Sequence, residues 1–460
     1  MVYAENRFPF SIEQEFLRGQ HQEDGSTAGF GPRPISSGGW RLTGPVDADL
    51  LRGALDDVIA RHEPLRTMVI RGADGWEQEV RDPCPARLQV HDLGDDPDGR
   101  GVRAERFLDE AESGHFDADE LPLLWAYLGR FDDKDAVLVL VAYLPLIDVW
   151  SLGIVMDDLA ACYAARLAGG KPDLPDPPRY RDYVRRAERN AAAGGSDSSF
   201  AYWRERLAGA RPVVIAADRP ANPDHPGVTR VDRFQIDARL GSAALRLGRA
   251  TGSSPFMVIF AAQLIHLQRM TGVSDGVVWT LTPGPGRRHE WAEATVGYFV
   301  NMSPLRTDIS GCVTFRDVLA RVRATCLEAF PHEVPFVGLA QRAPEVIAGL
   351  EQGGMVVPGF AVFQNPAASK TRSAGAVEYA PVRRRLSQAQ GPGIPDDAIL
   401  WTIDIDPDGE IFCAVSSSTD RFEQATVDRM LAEFRDLFGR VLADPDAPLA
   451  GARTHEGVRS

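Results

Sequence analysis

Apolar residues recur at helical spacing in several stretches of the chain and at strand spacing in others, and the two kinds are interleaved. Leu50, Leu51, Ala54, Leu55, Val58 and Ile59 form one stripe, which predicts an amphipathic helix after Asp49 as N-cap. "RTMVIRG" and "WEQEVRD" then read as two strands about the turn "ADG", and "LWAYLGRF" and "AVLVLVAY" as a central hairpin about "DDKD". Beyond Ser151 the period turns helical again, with Leu152, Val155, Leu159 and Tyr163 on one face. The second half uses the same vocabulary. A helix starts at Ser254-Pro255, "GVVWTLT" and "MVVPGFAVFQN" are strands, and "ILWTIDI" and "EIFCAVSSS" form a hairpin around "PDG". A closing helix buries Val427, Met430, Leu431, Phe434, Phe438, Val441 and Leu442. Helices interleaved with strands predict an α/β fold, and 460 residues exceed one ordinary core. The Gly/Pro-rich stretches "GGKPDLPDPP" and "NAAAGGSDSS" bracket an arginine-rich helix and place a boundary near residue 175. The expected units are residues 1–175, residues 176–452 and a flexible tail, 453–460.

Composition narrows the function. A net charge of −15 argues against a nucleic-acid partner. Five cysteines without ligand spacing argue against zinc and against a disulfide framework. Without a leader pattern or a run long enough for a bilayer, the expectation is a cytoplasmic protein with no membrane partner. No phosphate loop, dinucleotide fingerprint, HExxH or GxSxG is present, and no histidine has a suitably spaced partner. Asp148 stands apart, because a carboxylate between Ile147 and Val149 is costly to bury unless paired. Arg306 is one candidate partner from the other half of the chain; an N-cap for the helix near Ser151 is the other reading.

Seven segments in order resemble the condensation-domain superfamily of nonribosomal peptide synthetases, from about Phe8 to Leu449. They are "FPFSIEQEFL" with Ser11 and Gln14, "RHEPLRT", "YRDY", "YWRERLAGA", "VGYFVNMSPLR", "EAFPHEVPF" and "STDRFEQATVDRM". The resemblance implies two chloramphenicol-acetyltransferase-like lobes, each a mixed sheet flanked by helices, set in a V around a central tunnel. It implies no bound cofactor; the phosphopantetheine arm of an acyl or peptidyl carrier protein would deliver the substrate to a small amine or alcohol acceptor. The aspartate of the family motif HHxxxDG is structural and pairs with an arginine of the VGxFVN motif, which agrees with an Asp148–Arg306 pair.

The motif is degenerate in this chain. Its histidine positions hold Tyr143 and Leu144 and its glycine position holds Val149. The nearest histidines, His115 and His225, are far away in sequence. Leucine neither accepts nor transfers a proton, and strand alternation points Tyr143 away from Leu144. Two functions therefore stay open. One is a free-standing, monomeric acyltransferase that works by positioning; the other is a silent docking or gating protein that binds a carrier or recruits a tailoring enzyme. Trp150 and Ser151 are expected near the tunnel. Arg181, Arg185 and Arg186 are candidates for carrier binding, with the pairs and triplets at Arg287–Arg288 and Arg383–Arg385 as further basic patches.

Overall fold

The computed structural model describes residues 6–18, 35–72, 75–94, 96–114, 116–117, 119–192, 194–220, 228–342, 344, 355–363, 371–391, 394, 398–406 and 409–449. The expected tail, His115 and His225 lie outside the described residues. The first lobe is built on a mixed six-stranded sheet. The hairpin Leu124–Asp132 and Asp135–Tyr143 is its centre. Ile35–Thr43 pairs antiparallel with Asp135–Tyr143, and Arg87–Asp92 pairs parallel with Leu124–Asp132. Even positions of the central strand, Leu138, Leu140 and Ala142, pack under the helices Ala48–Arg61 and Val149–Leu167. Odd positions, Val137, Val139 and Val141, pack under Arg100–Ser113. A strand buried on both faces reads as an unbroken apolar run. The helix Ala48–Arg61 is capped by Asp47, not Asp49: the Asp47 carboxylate accepts from Asp49 N at 2.9 Å and Leu50 N at 3.0 Å. Both acids stand at the helix start, and only the first has extended backbone there.

The second lobe has a mixed seven-stranded sheet. Asp275–Thr282, Met355–Phe363 and Ala398–Ile405 run parallel, Asn301–Asp308, Ile411–Ser418 and Thr229–Ile236 add antiparallel pairs, and the short strand Ile215–Ala216 pairs antiparallel with Met355–Phe363. Its core holds the helices Pro255–Thr271, Phe315–Ala329 and Gln424–Ala443. Arg7–Pro9, Gly75–Val80 and Thr67–Gly72 form a separate three-stranded sheet.

The division at residue 175 needs a correction. Arg372–Ala374 and Val377–Pro381, counted with residues 176–452, hydrogen-bond to the first lobe's sheet through Ile35–Thr43. That strand would otherwise present an open edge, and local periodicity carries no information about which sheet a strand joins. The chain then returns between the lobes. Arg384 bonds Asp109 and Glu112 of the first lobe, while Arg233 of the second donates to Leu386 O at 2.7 Å.

His266, on the buried face of Pro255–Thr271, is 1% exposed against Trp401 and Phe434. Burial lowers its pKa from 6.5 to about 4. Between those values the unfolded chain binds a proton that the folded one does not. Stability is therefore complete above pH 6.5 and declines as pH falls to about 4, by about 3 kcal/mol in total. His266→Leu should remove this component. Urea unfolding at pH 7 and pH 4 tests it: a wild-type-minus-variant difference that stays constant with pH would show that His266 is not the titrating group.

Candidate functional site at the lobe interface

The central strand ends at Tyr143, and residues Leu144–Ile147 form a tight turn. Tyr143 O accepts from Leu146 N and Ile147 N, both at 3.0 Å. Gln14 Nε2 donates to Pro145 O at 2.8 Å, and Ser36 Oγ to Ile147 O at 2.7 Å. Gln14 is itself held by Ser11, whose amide donates to its side chain at 2.8 Å and whose hydroxyl accepts from Gln14 N at 3.1 Å. The Ser-x-x-Gln pair of the first motif thus caps a short helix and braces the turn.

Tyr143 is 3% exposed and stacks on Phe116 at 6.5 Å. Burial raises its hydroxyl pKa further from neutrality, with Asp119 adding to the effect, so the phenol cannot serve as the base that the motif lacks. Pro145, Leu146 and Ile147 are buried, and Leu144 is half-buried. Val149 and Trp150 are 55% and 44% exposed.

Asp148 performs both tasks that the sequence left open. Its Oδ1 accepts from Ser151 N at 2.7 Å, which caps the helix Val149–Leu167. Its carboxylate also receives Arg287 Nη2, at 3.1 Å and 3.4 Å, and Phe299 N at 3.0 Å. Arg287 donates in addition to Ser151 Oγ at 2.7 Å, Ala292 O at 2.8 Å and Thr295 O at 2.6 Å, and its guanidinium lies 4.1 Å over the Phe299 ring. Ser151 Oγ reaches Gly297 O at 2.8 Å. The arrangement is a desolvated clamp between lobes in which almost every polar atom is satisfied.

Arg306 is not the partner. It lies at the far end of Asn301–Asp308, paired with Asp275 at 2.7 Å. Phe299 touches Asp148, and Arg306 lies further along, inside the strand Asn301–Asp308 that begins after Phe299, where each residue advances the chain by about 3.3 Å. Arg287 sits instead in the "GPGRR" loop, whose arginine pair was expected above to be a basic patch. Gly284 there has φ +83°, and a Cβ on it would stand 1.9 Å from Phe299 O. Two glycines around Pro285 were the available signal for a turn tight enough to bring Arg287 inward. Gly297 is equally constrained, because a Cβ there would meet the Tyr180 ring at 2.1 Å.

The other motif residues also serve the interface. Tyr180 and Tyr183 pack on Phe299 with Phe8 and Val80. Tyr180 donates to Ser11 Oγ at 2.9 Å, and Tyr183 to the buried Glu13. His62 contacts Asp158 through Nε2 at 2.8 Å. Of the arginines expected to bind a carrier, Arg181 is paired with Glu63 at 3.1 Å, Arg185 is half-buried and donates to Arg7 O, and Arg186 is exposed over Trp291. The two further patches do not hold as open basic surfaces. Arg287 is buried and Arg288 is paired with Glu333. Arg383 is bound to Asp404 and Asp406, and Arg384 to Asp109 and Glu112.

Two mixed-sheet lobes joined through a buried aspartate clamp define the class of protein. The chain belongs to the condensation-domain family, whose model matches residues 37–456. It is 41% identical, with a TM-score of 0.91, to the SgcC5 protein from Streptomyces globisporus, solved in complex with (R)-(-)-1-(2-naphthyl)-1,2-ethanediol and sucrose; the match covers 96% of this chain and 100% of that one. It is 32% identical to chondramide synthase cmdD of Chondromyces crocatus over 95% of this chain, which spans 11% of that synthase. The X-domain from teicoplanin biosynthesis, solved in complex with OxyB, shares the fold at 23% identity and a TM-score of 0.75, covering 98% of this chain and 97% of that one. Among the described residues no single helix is long and apolar enough to cross a membrane.

Proposed function

We propose that this chain transfers a carrier-bound acyl or peptidyl thioester to an amine or alcohol acceptor, and that it does so by positioning the reactants rather than by general base catalysis. One observation carries the reading: the interlobe frame is complete, with its clamp and motif residues in place, while the position of the family's histidine holds Leu144. Loss of a general base typically costs ~10²–10⁴-fold, whereas holding two reactants in register supplies roughly 7–11 kcal/mol of the barrier. A thioester is reactive enough for the remainder to matter. The relative with a bound diol supports a small-molecule acceptor. The test is mass spectrometry of product formed from acyl-loaded carrier proteins and candidate acceptors. Transfer should exceed the protein-free rate by at least ~10²-fold; equality with that rate would end this reading.

A docking or gating protein is the second reading, favoured by Leu144 itself and by the partner complex seen for the X-domain fold. It calls for carrier or enzyme binding without turnover. Arg186, exposed on the helix Tyr180–Ala192, is the residue of the proposed carrier face most open to a partner.

A further inference from the structure

The turn after the central strand fixes which of its side chains stays partly open, and this inference rests on the transfer reading above. Gln14 and Ser36 hold the backbone at Pro145 and Ile147, so a register slip that would bring another residue forward breaks both bonds. Pro145, Leu146 and Ile147 are buried, which leaves Leu144 as the partly accessible side chain between Tyr143 and Asp148. The titratable neighbours in the chain are committed elsewhere. Asp148 receives Ser151 N, Phe299 N and Arg287, and Tyr143 is packed beneath Phe116.

We propose that Leu144 restricts the acceptor to one that needs no base from the protein. Such an acceptor is an amine present as free base at the working pH, or one whose own second basic group takes the proton. Of the two acceptor classes in the transfer reading this keeps the amine and excludes the alcohol, of which the diol bound by SgcC5 is an example, as a nucleophile.

The chemistry balances without a protein base. The lone pair of the neutral amine attacks the thioester carbonyl, the C–N bond forms, and the C–S bond breaks with its electrons on sulfur. The surplus ammonium proton passes to the departing thiolate or to the acceptor's second base, giving an amide and a free thiol. A thiol of pKa ≈ 8.5 and an amine of pKa ≈ 8 are matched for that exchange. A hydroxyl near pKa ~15.7, like that of water, must lose its proton during attack, and a leucine side chain offers nothing to receive it.

The experiment uses the full chain with N-acetylcysteamine thioesters of aliphatic, aromatic and aminoacyl groups. The acceptors are 1-(2-naphthyl)-1,2-ethanediol, the corresponding amino alcohol, and primary amines of graded pKa. Amide is expected from the amines and no ester above background from the diol. The pH profile of kcat/KM should rise to an inflection that moves with the pKa of each acceptor. Leu144→His should add an inflection near ~6.5 and raise ester formation roughly 10²-fold. Ester from the wild type at a rate like that of amide overturns the proposal, as does an inflection that stays fixed when the acceptor changes. Absence of product from every acceptor, with acyl-loaded carrier protein as donor as well as with the small thioesters, overturns the transfer reading itself, a result distinct from either.

Discussion

Arg287→Ala is expected to destabilise the protein by about 3–5 kcal/mol, the usual cost of removing one member of a buried ion pair. Arg287 and Asp148 are 5% and 3% exposed. The variant would strand the Asp148 carboxylate and release the carbonyls of Ala292 and Thr295 together. Lysine would not restore the site, since one ammonium cannot reproduce a planar fork that serves four acceptors on two lobes. Asp148→Asn separates the two roles of the aspartate. Asparagine still caps the helix, so most of its cost would come from the lost charge. Arg306→Ala is the contrasting case. Its pair with Asp275 is partly solvated, with side chains 26% and 39% exposed, and about 0–1 kcal/mol is expected. Chemical unfolding of both variants decides between the arginines. Equal costs at 287 and 306 would contradict the clamp.

The second large effect is expected at Arg384, where the returning segment ties the lobes together. Burial alone would raise the Glu112 carboxyl, but the charge of Arg384 and hydrogen bonds from Arg384, Ser37 and Gln388 more than offset it. Glu112 is thus held below the ordinary carboxylate range. Its side chain is 1% exposed. Arg384→Ala should cost about 3–5 kcal/mol near neutral pH. The sign of the pH dependence follows from the lowered pKa. The contribution of Glu112 is present above its unfolded value of 4.5 and is lost as pH falls through the folded value. The deficit of the variant should therefore shrink in acid, where its Glu112 becomes neutral. Replacing Arg384 and its most buried partner by apolar residues, Arg384→Met with Glu112→Leu, should recover part of the loss, because the fully buried carboxylate is then gone and only the half-buried Asp109 loses its arginine. A double variant as unstable as the single one would mean that the segment is held by packing and not by this pair.

Much of the fold was legible because its signals are local. The stripe from Leu51 to Ile59 and the run from Ala136 to Tyr143 each declare an element through spacing alone, and both lie buried as that spacing requires. The Ser254-Pro255 helix start was equally plain and is observed. Arg383–Arg385 misled, since three consecutive cations look like a solvated surface run; only the fold supplies the acids that Arg383 and Arg384 meet.

The functional question divides along the same line. The sequence by itself implied, through its resemblance to the family motif, that Leu144 takes a histidine position, and it determined that Asp148, set among aliphatic residues, had to find a partner. These are properties of side-chain chemistry and solvation, which travel with the residue. Tertiary structure alone decided that the partner is Arg287, that Ser151 is sealed into the same clamp, and that residues 372–381 return to the first lobe's sheet. Partner choice across 139 residues depends on how two lobes dock, and nothing in the local period of a chain encodes that distance.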